Sequence, residues 1–167
     1  MTTESVAPET LHAWAICLQA SEEARRRGDR RYGTDHILLA LFEDPSIDDV
    51  LGVSLQQARQ ALDSLDHQAL GALGMGADTD APPLPMRAVP KKPRIRDVSQ
   101  KDRLRITPAA KKVLQDVVKP NRRKSQVTAQ QVLAQILTLQ PPDPAAVLLG
   151  ALGVNPSDVR RRLDDCP

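Results

Sequence analysis

The chain has 167 residues, 41% of them hydrophobic, with a formal net charge of +2 and only one each of Trp, Tyr and Phe. That content can fill the core of one domain or two small ones, and the scarcity of aromatics calls for an aliphatic, closely spaced interior, which favours helices over sheets. No apolar run reaches the roughly 18 residues of a membrane-crossing helix, residues 1–9 are polar rather than a charged-then-apolar leader, and Cys17 and Cys166 lack the close pairing of a metal or redox motif, so a cytoplasmic chain with free thiols is expected.

The first predicted helix opens at Thr10 as N-cap and runs to Arg27 before Gly28, with Ala13, Ile16, Cys17, Ala20 and Ala24 on one face. Thr34 is the next predicted N-cap, with Asp35 in the first turn where the helix dipole favours a negative charge. Ile37 to Phe42 is apolar all round, the mark of a central helix. Glu43, Asp44 and Pro45 end it; about one turn over Ile47 to Leu51 leads to Gly52, and Ser54 caps a helix with the stripe Leu55, Ala58, Leu62 and Leu65.

Between residues 71 and 105 periodicity gives way to Gly, Asp and Pro and then to Lys and Arg, the composition of a linker or long loop. Thr107-Pro108, an N-cap followed by proline at the first helical position, restarts the helical pattern with the stripe Ala110, Val113, Leu114 and Val117. Thr128 caps a segment with Val132, Leu133, Ile136, Leu137 and Leu139, stopped by Pro141-Pro142. Ala145 to Leu152 leads into Gly153-Val154, and Asn155-Pro156 opens a last helix through Val159 and Leu163.

Charge is distributed unevenly. From Met86 to Lys124 there are fourteen Lys and Arg against three Asp, a local charge of +11 that leaves −9 for the remainder. The run Lys91, Lys92, Arg94, Arg96, Lys101, Arg103 and Arg105 has three readings: a solvated linker, an electrostatic docking strand for an acidic partner, or a phosphate-neutralising segment of a nucleic-acid-binding protein over 87–124. It holds no aromatic residue for base stacking, and its prolines prevent a continuous recognition helix.

The halves echo each other: Ala110, Val113, Leu114 and Val117 repeat the phase of Ala13, Ile16, Cys17 and Ala20 at an offset of 97, and Leu51-Gly52-Val53 recurs as Leu152-Gly153-Val154 at an offset of 101. The expected fold is therefore all-α, two pseudo-symmetric four-helix repeats forming one domain. The repeats span 9–70 and 106–165, joined by the Pro/Lys/Arg-rich linker 71–105, and the first has a third helix short by about two turns.

Glu22-Glu23-Ala24-Arg25, Tyr32-Gly33-Thr34-Asp35-His36-Ile37-Leu38-Leu39-Ala40-Leu41 and Leu51-Gly52-Val53 in the first copy, with Thr107-Pro108-Ala109-Ala110-Lys111-Lys112-Val113-Leu114 and Leu152-Gly153-Val154 in the second, resemble the Clp amino-terminal repeat. The resemblance covers most of the chain apart from the termini and linker. It implies the paired-repeat fold that receives substrates and adaptors in front of Clp-type unfoldase ATPases. The sequence contains no glycine-rich phosphate loop of the Walker type, so no ATP hydrolysis, catalytic residue or cofactor is expected.

The resemblance further implies an accessory, adaptor or regulator of a Clp-type chaperone-protease, or a decoy that sequesters the same ligands. Members that recognise phosphoarginine hold its guanidinium with an acidic residue. Here Asp35 keeps the charge with shorter reach, whereas Val127-Thr128-Ala129-Gln130 has lost it, so phosphoarginine binding is expected to be weakened to one site. His12, His36 and His67 form no metal-ligand set at helical spacing, and His36 is read as fixing the turn before its helix. The groove between copies is the expected binding place, with Trp14, Tyr32, Asp35 and Arg59 from the first copy and Lys112 and Arg160 from the second at its rim.

Overall fold

A computed structural model describes residues 10–74, 104–119 and 126–164. Lys91, Lys92, Arg94, Arg96, Lys101 and Arg103 lie outside the described residues. The elements run in order β1 (Thr10–His12), α1 (Ala13–Arg27), β2 (Arg31–Tyr32), α2 (Thr34–Leu41), α3 (Pro45–Leu51) and α4 (Leu55–Ala72), then β3 (Arg105–Ile106), α5 (Pro108–Val118), β4 (Gln126–Thr128), α6 (Ala129–Ile136), α7 (Pro144–Ala151) and α8 (Pro156–Asp164). The described protein is mostly helical, with four short strands.

Local chemistry accounts for most boundaries. Ser54 accepts from the N–H of Gln57 while Gln57 Oε1 accepts from the N–H of Ser54 at 2.8 Å, a reciprocal cap that starts α4. Thr128 and Gln131 do the same for α6. Thr107 Oγ1 accepts from Ala110 N–H ahead of Pro108. Asp44-Pro45 and Asp143-Pro144 are matching N-cap and first-turn pairs for α3 and α7, each aspartate accepting from the backbone two residues on.

Several expectations need correction. Thr10 belongs to β1, and α1 starts at Ala13. The N-cap of α2 is Gly33, not Thr34, whose hydroxyl is drawn away to a distant aspartate. Helix α4 continues past residue 70 to Ala72, and Arg105 lies in β3, so both ends of the span 71–105 belong to regular elements. The third helix of the first half is not short by two turns. Helix α3 has 7 residues and α7 has 8, and the length difference sits in the preceding connections, residues 42–44 against 137–143. Proline accounts for the difference, because Pro45 both terminates α2 and occupies the favoured first position of α3.

One hydrophobic cluster draws on both halves, from Ile16 to Leu62 and from Ala110 to Val159. Helix α2 is its axis, packed against α1, α4, α5, α6 and α7. Ile37, Leu38 and Leu41 are fully buried, and truncating such a leucine to alanine costs about 2–5 kcal/mol. The expected stripe residues Ile16, Ala20, Ala24, Ala58, Leu62, Ala110, Val113, Leu114, Val117, Val132, Leu133 and Ile136 are buried, as their periodicity implied.

The strands tie segments far apart in sequence. β1 pairs with β4 in antiparallel sense, Leu11 opposite Val127. β2 pairs with β3 in parallel, Arg31 beside Arg105 and Tyr32 beside Ile106, and Thr107 N–H extends the ladder to Tyr32 O at 3.0 Å. Helix α3 packs on α8, where Arg162 donates to Val50 O at 3.0 Å and so caps the end of α3 beside Gly52.

Candidate functional site

The start of α2 gathers a polar cluster at the core, in which the backbone of Gly33 and the side chains of Asp29 and Asp35 meet His36. Gly28, at φ 84°, closes α1: its N–H donates to Arg25 O, and the N–H of Asp29 donates to Ala24 O at 2.8 Å. This tight turn carries Asp29 to the first turn of α2, where Asp29 Oδ2 lies 3.0 Å from Nε2 of the buried His36 and accepts from Arg27 Nε at 3.3 Å.

The other ring nitrogen of His36 has two neighbours. Nδ1 is 3.2 Å from the N–H of Gly33 and 3.1 Å from Asp35 Oδ1. A neutral ring protonated at Nε2 accepts from Gly33 and donates to Asp29; a charged ring donates to both carboxylates and releases the Gly33 N–H. Desolvation by burial pulls the His36 pKa down, but the hydrogen bond and charge of Asp35, followed by Asp29, outweigh it and leave the pKa raised. For Asp35, burial works upward and the His36 contacts prevail, so its pKa is lowered.

Gly33 has a steric reason to be glycine. A Cβ there would sit 2.5 Å from Asp35 Oδ1, because the Asp35 carboxylate folds back over the turn. That carboxylate is only 13% exposed and committed to His36. A guanidinium arriving from outside would have to compete with the imidazole for it.

The six residues expected at one rim occupy different settings. Tyr32 and Asp35 flank Gly33 on the strand-to-helix turn. Tyr32 is buried, and its side chain hydrogen bonds to Cys17, opposing the burial that pushes the Cys17 thiol pKa up. Arg59 is committed to Glu23 through Nε at 3.1 Å and through Nη2, joining α4 to α1. Arg160 donates to Leu137 O at 3.2 Å, past the end of α6. The side chains of Trp14, 49% exposed on α1, and Lys112, exposed on α5, make no hydrogen bond or ion pair among the described residues. Of the basic docking segment only Arg105 is described.

Two groupings escaped sequence reasoning because their members are remote in the chain. Thr34 Oγ1 donates to Asp143 Oδ1 at 2.7 Å across the two halves. Arg31 and Arg105 are in-register neighbours in the β2–β3 ladder. The only local hint was that Arg105 adjoins the Thr107-Pro108 helix start as Arg31 adjoins Gly33-Thr34.

No helix among the described residues is long and apolar enough to cross a membrane, and none of their His, Cys, Asp and Glu groupings could hold a metal ion. Comparison with protein families gives no match to the chain, and neither does comparison with curated proteins.

Proposed function

We propose that this chain is a non-catalytic protein-binding module built from two copies of one Clp amino-terminal-type unit, acting as an accessory, adaptor or regulator of a Clp-type ATP-dependent chaperone-protease. The supporting observation is the element order: strand, helix, strand and three helices occur twice, in residues 10–72 and again in 105–164. The strand before the first helix of each half pairs with the strand before the second helix of the other half, the exchange expected of two copies related by an approximate two-fold axis. The antiparallel sense of one ladder and parallel sense of the other make that relation inexact.

Matching details add support. Asp44-Pro45 answers to Asp143-Pro144, and Gly52 at φ 70° to Gly153 at φ 68°, each glycine following the third helix of its half. A unit of this kind works by contact: its polar network at α2 contains no nucleophile and is largely occupied by its own residues.

The test is a degradation assay with a Clp-type ATPase and its peptidase, with and without added protein. An adaptor accelerates turnover of a substrate in proportion to its concentration up to saturation; a decoy that captures ligands without delivering them slows it. No change in turnover and no binding to the ATPase or its substrates would overturn both forms of the proposal.

A further inference from the structure

The parallel pairing of β2 with β3 sets Arg31 directly beside Arg105. Neighbouring strands lie about 4.8 Å apart, and in-register residues of a ladder project from the same face. Both arginines are exposed. Two like charges so placed destabilise the ladder unless something between them is negative.

Among the described residues the nearby carboxylates do not supply that charge. Asp29 is held by Arg27 and His36, Asp35 by His36, and Glu23 by Arg26 and Arg59. Among the described residues neither the Arg31 nor the Arg105 side chain has a hydrogen-bond or ion-pair partner. Each strand also runs within one residue of a helix start, β2 into α2 and β3 into α5, so two positive helix ends stand at the same ladder.

We propose that Arg31 and Arg105 form a two-guanidinium site for a phosphomonoester dianion carried on a partner polypeptide. The stoichiometry of charge selects the ligand. A phosphomonoester brings a charge of about −1.5 to −2 and three terminal oxygens, enough for two forked donors at once. A phosphodiester or a single carboxylate brings one charge and leaves one guanidinium uncompensated. Tyr32, the aromatic in this ladder, is buried and offers no face for base stacking, which again favours a phosphorylated protein over a nucleic acid. The inference rests on the reading of the chain as a protein-binding module and names the chemistry of its partner.

The test is a nuclear magnetic resonance titration of the full chain that follows the arginine Nε–H signals. The probes are inorganic phosphate, a phosphoserine peptide, the same peptide unphosphorylated, and a single-stranded oligonucleotide of equal net charge. Expected are saturable shifts of the Arg31 and Arg105 signals together, with the phosphoserine peptide bound about tenfold or more tightly than its serine copy. R31Q and R105Q each lose about tenfold in affinity for that peptide. R31K and R105K, which keep the charge and give up the fork, fall between; R161Q on α8 changes nothing.

Equal binding of the two peptides, or unaltered phosphopeptide affinity in both glutamine variants, would overturn the site. A preference for the oligonucleotide, or binding of inorganic phosphate with no gain from the peptide, would overturn the phosphoprotein assignment. If the titration fails while the degradation assay still responds to the protein, the phosphate site falls and the adaptor reading stands.

Discussion

Thr34 and Asp143, 109 residues apart in the chain, share a 2.7 Å hydrogen bond in which the threonine hydroxyl donates to Oδ1 of the aspartate. Asp143 is at once the N-cap of α7, and the N–H of Ala145 reaches Asp143 Oδ1 at 3.0 Å and Thr34 Oγ1 at 3.4 Å. The first turn of the central helix is thereby bonded to the start of a helix from the other half, in a setting where Thr34 is 1% exposed.

Thr34→Val, close in shape but without the hydroxyl, is expected to lower unfolding free energy by about 1–3 kcal/mol, since a buried bond is lost with little change in packing. Thr34→Ser should restore much of it. Urea denaturation of T34V, D143A and the double variant gives the coupling, expected at roughly 0.5–3 kcal/mol. Strict additivity would mean that the bond contributes nothing to the docking of α2 on α7.

The ring of His36 predicts a pH dependence whose sign follows from two shifts. Its pKa is raised on folding, so its contribution to stability is complete below the unfolded value and is lost as pH rises through the folded one. The pKa of Asp35 is lowered, so that contribution is present above the unfolded carboxylate value and disappears as pH falls through the folded one. Stability should peak between the ordinary aspartate and histidine ranges, and His36→Gln should flatten the decline on the alkaline side. Guanidinium denaturation across pH checks this, and an unchanged slope in H36Q would assign the decline elsewhere.

Gly33→Ala is expected to disturb the same cluster without backbone strain, since φ at Gly33 is −108°. The new methyl would take the place of Asp35 Oδ1, which lies 2.5 Å from an ideal Cβ, and so detach the carboxylate from the ring. The His36 pKa, read from imidazole carbon chemical shifts, should fall in both G33A and D35N. A pKa unmoved in G33A would show that Asp35 keeps its contact by another route.

Arg27, its side chain 12% exposed, donates to Asp29, Asp63 and Asp66 and so fastens α4 to the end of α1. Residues 66–74 are otherwise exposed. Arg27→Ala should cost only about 1 kcal/mol globally, because the Asp63 and Asp66 carboxylates are more than half exposed and that of Asp29 is partly so. Amide exchange should nevertheless rise severalfold over residues 63–72 and stay constant in α2. High salt should reproduce the effect in the wild type, as expected for partly screened pairs.

What the sequence by itself determined is the set of interactions that are local along a helix. Caps at Ser54, Thr107 and Thr128, the glycines ending α1 and α3, and the aliphatic stripes of α1, α4, α5 and α6 all depend on neighbours within about four residues, and each was legible from spacing. Thr34 shows where that reading stops. Its local environment favours a cap, but a distant aspartate offers the hydroxyl a better partner, and Gly33 takes the capping position.

Only the tertiary structure decided the strand pairings, the docking of Arg162 on Val50 O, and which expected rim residues are occupied by partners of their own, as Arg59 is by Glu23 and Asp35 by His36. A two-residue strand has too short an alternation to register in sequence, and its partner lies 74 or more residues away, so nothing local encodes it. The juxtaposition of Arg31 with Arg105 exists because two helix starts from opposite halves converge on one core, and that convergence is set by burial of α2 from every side rather than by the arginines themselves.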